Sequence, residues 1–265
     1  MLPRLAVLLG LALLPQGGSA ATYDPQHTAF TSLLQRHVSA GRVDYTALRR
    51  ERASLDAYVA AVQSLDAAMI AALPRPERLA FHLNAYNAFV LRTIVDHHPL
   101  SRGSLVGLAF PANSIWQIPG AFRERRFTLG GKRVSLDDLE HRIIRPQFAE
   151  PRVHMALVCA ARSCPPLRSE AFVSTRLDAQ LDDQAQRFLA DRQHGLQVDA
   201  ANDGVRVSAI FKWFGEDFAA LTGGDRDRGV LDFVAGHVDD AALRARLRAP
   251  GLKLRFLDYD WTLNE

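Results

Sequence analysis

Helical spacing of apolar residues dominates the first third of the chain. Asp24 is a candidate N-cap for a helix with an apolar stripe that Gly41 ends. The segment "SLDAYVAAVQSL" continues with the same period. Pro76 then opens a long amphipathic helix over Glu77–His98, which Pro99 ends. The pattern predicts an amino-terminal part built of helices.

The period changes in the middle of the chain. The stretch "RRFTLGGKRVSL" predicts two short strands joined at Gly130-Gly131. Ser135 is a candidate N-cap for a helix that runs to about Arg145. The run Val153–Cys159 is almost continuously apolar and predicts a buried strand.

The last third alternates between helical and extended patterns. The stretch "RLDAQLDDQAQRFLADR" predicts a helix, and a hairpin is expected around Asn202-Asp203-Gly204. One helix is expected over "SAIFKWFGEDFAALTGG", then two shorter helices, and "LKLRFLDYDWTL" is the last strand. Together the elements predict an α+β fold, in which a helical amino-terminal part packs on a small, mainly antiparallel sheet.

Residues 1–20 have the pattern of a secretory signal peptide. Arg4 is the one charge, Leu5–Leu14 is apolar throughout, and Ser19-Ala20 offers a small-residue cleavage site. Because a membrane span needs about twenty apolar residues, a retained anchor is the less favoured interpretation. The sequence therefore predicts one globular domain over residues 21–265, exported to a bacterial periplasm and without a transmembrane segment.

Composition and charge narrow the range of partners. The chain has 48% hydrophobic and 23% charged residues, enough for a substantial core, and its net charge is only +3. Arginine clusters such as "RERR" and "RARLR" are interpreted as solvated faces. We therefore expect a small-molecule or peptide-like ligand, no nucleic acid and no cofactor.

Five stretches of the sequence, taken in order, resemble the motifs of the domain of unknown function 547 family. They are "FHLNAYNAFVLRTI", "FTLGGKRVSLDDLEHRIIR", "PRVHMALVCAARSCPPL", "SAIFKWFGEDF" and "FLDYDWTLN", within residues 23–264. The resemblance leaves the activity open and implies a remote papain- or transglutaminase-like core. Papain-like enzymes carry a nucleophilic cysteine at the start of a central helix. The helix from Glu77 has no cysteine, so the chain departs from that pattern.

Two asparagines lie on one face of the helix over Glu77–His98. Asn84 and Asn87 are three residues apart, beside apolar neighbours. A buried amide costs about 1–3 kcal/mol unless its hydrogen bonds are met. The two amides are therefore expected either to tie the helix to an adjoining backbone or to polarise a substrate carbonyl.

Both cysteines of the chain lie in the motif "VHMALVCAARSCPPL". In a regular strand, His154 and Cys159 point to opposite faces, whereas Cys164 lies in a loop that two prolines stiffen. Cys164 is therefore the candidate nucleophile and His154 its base. Asp258 or Asp260, at the end of the last strand, would orient the histidine.

Other interpretations of the same residues stay open. Glu140 and His141, in the preceding helix, are further catalytic candidates. An exported chain can oxidise Cys159 and Cys164 to a disulfide, which would remove the nucleophile. Cys159 can also be an inert buried thiol. Zinc ligation by the histidines and cysteines is less favoured, because their spacing matches no closed zinc site, and no metal is predicted.

Two functional hypotheses follow from the sequence. The first is a cysteine-type hydrolase or acyltransferase acting on an amide or peptide-like substrate. The second is a non-catalytic periplasmic binding or scaffold domain with a structural disulfide. Trp213 and Trp261 are either core residues or a stacking wall for a sugar or peptide.

Overall fold

The structure is a computed structural model that describes residues 23–103, 106–199 and 204–265. The predicted signal peptide, residues 1–20, lies outside the described residues, so the prediction of export and of one domain over residues 21–265 stays a prediction. No helix in the described ranges has the length and apolar character needed to span a bilayer.

Helices form the amino-terminal part, as the sequence predicts. Their bounds are α1 Thr28–His37, α2 Tyr45–Arg50, α3 Ala53–Ser64, α4 Ala67–Ala72 and α5 Arg75–His97. The first helix begins later than predicted because the Asp24 carboxylate accepts the N–H groups of Gln26 and Thr28, which forms a separate turn. It also ends earlier, because Gly41 belongs to the hairpin of β1 (Val38–Ser39) and β2 (Arg42–Val43).

Helix α5 is the central element of this part, and it is buried along most of its length. It packs against α2, α3 and the helix that follows the second hairpin. That hairpin, β3 (Phe127–Leu129) with β4 (Lys132–Val134), is the predicted one. Both turn residues, Gly130 and Gly131, have a positive φ, a conformation that favours glycine.

Ser135 caps the next helix, as predicted. Its hydroxyl accepts the N–H of Asp138 at 3.0 Å, while the Asp138 carboxylate accepts the N–H of Ser135 at 3.2 Å. The following turns have π-helical geometry over Asp138–Ile144 and continue as α6 (Arg145–Phe148).

The predicted strand over Val153–Cys159 is wrong. Residues Val153–Ala156 form a short helix, α7, and the chain becomes extended only from Leu157. A short apolar run that is buried on all sides does not distinguish a strand from a helical turn. Here α7 packs against α8 (Leu177–Ala190), and all four of its residues are buried.

The carboxyl-terminal part mixes short helices with a three-stranded sheet. Its elements are β5 Leu196–Asp199, β6 Gly204–Val207, α9 Ala209–Trp213, α10 Gly215–Ala219, α11 Arg226–Gly236, α12 Ala241–Arg248 and β7 Lys253–Phe256. Strand β5 pairs antiparallel with β6, and β7 pairs parallel with β6. The single helix expected over residues 208–224 breaks at Phe214, and the last strand ends at Phe256, before Asp258.

Among the described residues, the buried apolar side chains form two clusters. One joins the amino-terminal helices to the loop around Cys164, and the other joins α8 to the carboxyl-terminal elements. The predicted α+β class is confirmed, with the strands in small sheets of two or three. A papain- or transglutaminase-like core stays a prediction.

Candidate functional site

A cavity of about 280 Å³ lies where residues of the two apolar clusters meet. Its wall brings together four of the predicted site residues, Glu140, His141, His154 and Cys164, together with Cys159. The sequence predicted these residues as separate candidates, and the fold places them around one volume.

Cys159 and Cys164 form a disulfide, with their Cα atoms 6.2 Å apart. The predicted pairing is therefore present, and Cys164 carries no free thiol in this state. Cys164 is 6% exposed, whereas Cys159 is half-buried.

Tyr259 joins the disulfide to the aromatic wall. Its hydroxyl donates to Cys164 Sγ at 3.2 Å and lies 3.3 Å from Cys159 Sγ. Burial raises the pKa of Tyr259 well above its ordinary value, so the hydroxyl stays a donor at neutral pH. The backbone N–H groups of Cys159 and Ala161 point at the same Cys164 sulfur, at 3.1 and 3.4 Å.

His154 is held by a carboxylate that the sequence analysis missed. Its Nε2 lies 2.7 Å from Asp217 Oδ2, and Arg145 binds the same carboxylate with two hydrogen bonds of 2.7 and 2.9 Å. The imidazole stacks on Phe214 with ring centroids 4.1 Å apart. The structure thus builds an arginine–carboxylate–histidine chain, of which His154 lines the cavity.

The expectation that Asp258 or Asp260 orients His154 is corrected by this contact with Asp217. Asp258 is exposed beyond the end of β7. Asp260 accepts the N–H of Thr262 at 2.9 Å, and its own N–H donates to Ser163 Oγ at 2.8 Å. The backbone of Asp260 therefore holds the cysteine loop, and its carboxylate caps its own turn.

The pKa values of His154 and Asp217 both lie below their ordinary values. Burial lowers the pKa of His154, although Asp217 opposes that shift. Burial opposes ionisation of Asp217, but hydrogen bonds from His154 and Arg145 hold the pKa of this carboxyl well below its usual range. The arrangement favours an ionised Asp217 next to a neutral imidazole at neutral pH.

Glu140 is the second carboxyl group of the cavity. Its side chain is 13% exposed. Burial raises the pKa of Glu140 to about 7, against the opposing effects of the nearby Arg145 and of a hydrogen bond with Tyr86. At neutral pH it can therefore both give and take a proton. Burial, with a further contribution from Arg145, also lowers the pKa of the neighbouring His141.

The two asparagines contact backbone instead of the cavity. Asn87 donates to the carbonyl of Ala156 and accepts the N–H of Val158, both at 3.0 Å. Asn84 makes the equivalent pair with Phe172, at 2.8 and 2.9 Å. Both amides are buried and tie α5 to adjoining segments, as the first of the two expectations describes.

Aromatic rings form the remaining wall. All three tryptophans of the sequence, Trp116, Trp213 and Trp261, line the cavity. Trp261 stacks on Trp213 with centroids 5.7 Å apart and meets Trp116 edge-on at 5.5 Å. Trp213 remains 47% exposed, so the aromatic wall reaches solvent. Within the described part of the chain, no group of three or more His, Cys, Asp or Glu side chains is placed to hold a metal ion.

Sequence reasoning missed Asp217, Arg145, Tyr86 and Tyr259. Asp217 and Tyr259 lie inside quoted motifs, in "FKWFGEDF" and "FLDYDWTLN", but nothing in their spacing points to His154 or to the cysteines. Arg145 lies four residues after His141 on one helical face, and its Nη1 is 3.0 Å from His141 Nδ1. That spacing was the one local signal available.

Residues 70–189 match the family described as "Protein of unknown function, DUF547". The match supports, over this segment, the family that the motifs suggest. No curated protein and no solved structure gives a significant match to the chain. The matched segment holds Glu140, His154 and both cysteines, whereas Asp217, Tyr259 and two of the tryptophans lie beyond it.

Proposed function

We propose that the chain is an exported domain whose cavity binds a small neutral molecule with a flat ring or amide plane, and that Glu140 exchanges a proton with that ligand. The supporting observation is a carboxyl group with a pKa of about 7 inside an aromatic-walled cavity. Ligand cavities commonly combine apolar walls with a few polar groups, and 280 Å³ is near the small end of their range.

The polar groups of the cavity suit an amide or carbonyl ligand. Protonated Glu140 donates a hydrogen bond, and neutral His154, held by Asp217, offers a base. The indole faces supply stacking area for a planar group.

Tryptophan fluorescence tests this proposal directly, because every tryptophan of the sequence lines the cavity. The probes are an acetylated dipeptide amide and N-acetylglucosamine, each titrated into the oxidised protein. We expect a saturable change with at least one probe, which weakens as the pH rises through about 7 and is lost in Glu140→Ala. Glu124→Ala, at an exposed position, is the matched control and should bind normally. A titration without saturation for both probes, or binding that survives Glu140→Ala unchanged, would contradict the proposal.

A second candidate is the cysteine-type hydrolase or acyltransferase. The observation that favours it is the set of three donors directed at Cys164 Sγ, which would stabilise a thiolate once the disulfide is reduced. His154 lines the same cavity as a base. Hydrolysis of a dipeptide p-nitroanilide by the reduced protein, absent from the oxidised protein and from Cys164→Ser, would support this candidate. Equal rates in all three would exclude it.

A further inference from the structure

The two sulfurs of the disulfide have different surroundings. Cys164 Sγ is the acceptor for two backbone N–H groups and for the Tyr259 hydroxyl. Within the described residues, no backbone N–H donates to Cys159 Sγ, whose contact is the same tyrosine hydroxyl at 3.3 Å. Negative charge is therefore better stabilised on Cys164 than on Cys159.

Access to the two sulfurs is also unequal. Cys159 is half-buried, whereas Cys164 is 6% exposed. Both residues line the 280 Å³ cavity, and Cys159 is the more exposed residue of the two.

The loop between the cysteines keeps its shape through contacts other than the disulfide. Its backbone pairs with the carboxyl-terminal segment: Arg162 N–H donates to the carbonyl of Thr262 at 2.7 Å, and Asn264 N–H to that of Ala160 at 3.0 Å. The Ser163 hydroxyl also accepts the backbone N–H of Asp260. The donors around Cys164 are therefore expected to stay in place after reduction.

We propose that Cys159–Cys164 is a thiol–disulfide exchange site, in which Cys159 is the attacked sulfur and Cys164 is the leaving thiolate. The exchange partner is a dithiol that reaches the cavity. Exchange is faster when the leaving thiolate is stabilised, and that stabilisation is what surrounds Cys164. This activity goes beyond ligand binding and does not depend on Glu140.

The thiolate of the dithiol bonds to Cys159 Sγ, the disulfide breaks, and its electron pair passes to Cys164 Sγ. The second thiol of the dithiol then loses its proton and attacks its partner sulfur in the mixed disulfide, which releases Cys159. The dithiol is oxidised to a disulfide, the cysteine pair is reduced, and the two protons of the dithiol end on Cys159 and in solvent.

The first test uses the unaltered, folded protein and dithiothreitol as the dithiol. Samples are quenched with iodoacetamide, and the intact mass is measured together with the circular dichroism spectrum. We expect two alkyl groups per chain without denaturant and a spectrum that matches that of the oxidised protein. A disulfide that yields to dithiothreitol only after denaturant is added would overturn the proposal.

The second test measures how far the Tyr259 hydroxyl stabilises the Cys164 thiolate. Cys159→Ala leaves Cys164 with both backbone donors and the tyrosine, and its thiolate is read by absorbance at 240 nm at pH 7. Adding Tyr259→Phe should lower the ratio of thiolate to thiol about tenfold, the effect of losing one hydrogen bond to a charged group. Tyr58→Phe is the matched control, because Tyr58 is a buried tyrosine whose hydroxyl forms a hydrogen bond with His27 and not with a cysteine.

An equal effect of the two phenylalanine variants would overturn the assignment of Cys164 as the stabilised thiolate. These outcomes are separate from the fluorescence titration, which uses oxidised protein. Loss of ligand binding would thus leave the exchange activity standing, and failure of exchange would leave the ligand site standing.

Discussion

Glu140 shows how burial can adapt one residue to proton transfer. Its carboxyl group would titrate near 4.5 in an unfolded chain, and in the folded protein burial raises its pKa to about 7. The folded state therefore holds the proton more tightly than the unfolded state between these two values. Stability contributed by that proton is lost as the pH rises from 4.5 to 7.

Glu140→Gln should stabilise the protein at alkaline pH. At pH 8 the wild-type carboxylate is ionised in a buried position, and the neutral amide removes that cost, up to about 3 kcal/mol. Near pH 4 both proteins are neutral at this position and the gain should vanish. Urea unfolding at both pH values measures it, with Glu124→Gln as the exposed control. A constant difference at the two pH values would contradict the raised pKa.

Asp217→Asn should have the opposite pH dependence. The pKa of Asp217 is held below its ordinary value by His154 and Arg145, despite burial, so its contribution to stability is present above about pH 4 and is lost as the pH falls through the folded pKa. The variant should be less stable than wild type at pH 7, with a smaller gap at pH 3. Urea midpoints at the two pH values test this, and Asp258→Asn, which is exposed, should change neither.

The residue types of the site were readable in the sequence, and their partners were not. Cys159, Cys164 and His154 stood out as reactive side chains inside an apolar motif, and Glu140 as an acid in the preceding helix. Asp217 looked like any surface acid, because its hydrogen bond to His154 spans 63 residues of sequence.

At the scale of elements, periodicity predicted the long helices and the hairpins well. Helix α5 and the turn at Gly130-Gly131 carry strong local signals. The predicted strand over Val153–Cys159 was wrong because a short apolar run indicates burial but does not indicate the backbone conformation. The prediction of one continuous helix in place of α9 and α10 was wrong for another reason. Phe214 leaves the helix where its ring stacks on His154.

A pair of glycines in α11 tests how closely two of these elements pack. A Cβ added at Gly229 would lie 2.3 Å from the carbonyl oxygen of Phe218 in α10, whereas one added at Gly236 would meet nothing within 4 Å. Gly229→Ala should therefore destabilise the protein by about 1–3 kcal/mol. Gly236→Ala, the matched control on the same helix, should be neutral or stabilising by up to about 1 kcal/mol. Thermal unfolding of both variants measures this difference in stability. Equal stabilities would mean that α11 does not pack closely against α10.

At the scale of the whole molecule, the carboxyl-terminal segment joins distant parts of the chain. Asn264 accepts a hydrogen bond from the buried Tyr45 hydroxyl at 2.8 Å, and its carbonyl accepts the N–H of Val43 at 2.9 Å. The same segment pairs with the cysteine loop and supplies Tyr259 and Trp261 to the cavity. The cavity therefore depends on contacts between the amino-terminal part, the cysteine loop and the last residues.

A double-mutant cycle measures one of these contacts. Tyr45→Phe and Asn264→Ala should each destabilise the protein, and together they should cost less than the sum of the two, with a coupling energy of about 1 kcal/mol. Urea unfolding of the four proteins gives this energy. Tyr45→Phe combined with Asp217→Asn is the control cycle and should be additive. A coupling energy of zero for Tyr45 and Asn264 would show that this hydrogen bond does not stabilise the contact between the amino-terminal part and the last residues.

The sequence by itself determined the long helices, the glycine hairpin, the α+β class, the family resemblance of residues 70–189 and a short set of chemically notable side chains. These features depend on neighbours a few positions apart, so a pattern along the chain contains them. The tertiary structure decided that the disulfide lines a cavity, that Asp217 holds His154, and that Glu140 has a pKa of about 7. Each of these depends on burial and on contacts between residues distant in sequence, which exist only when the chain is folded.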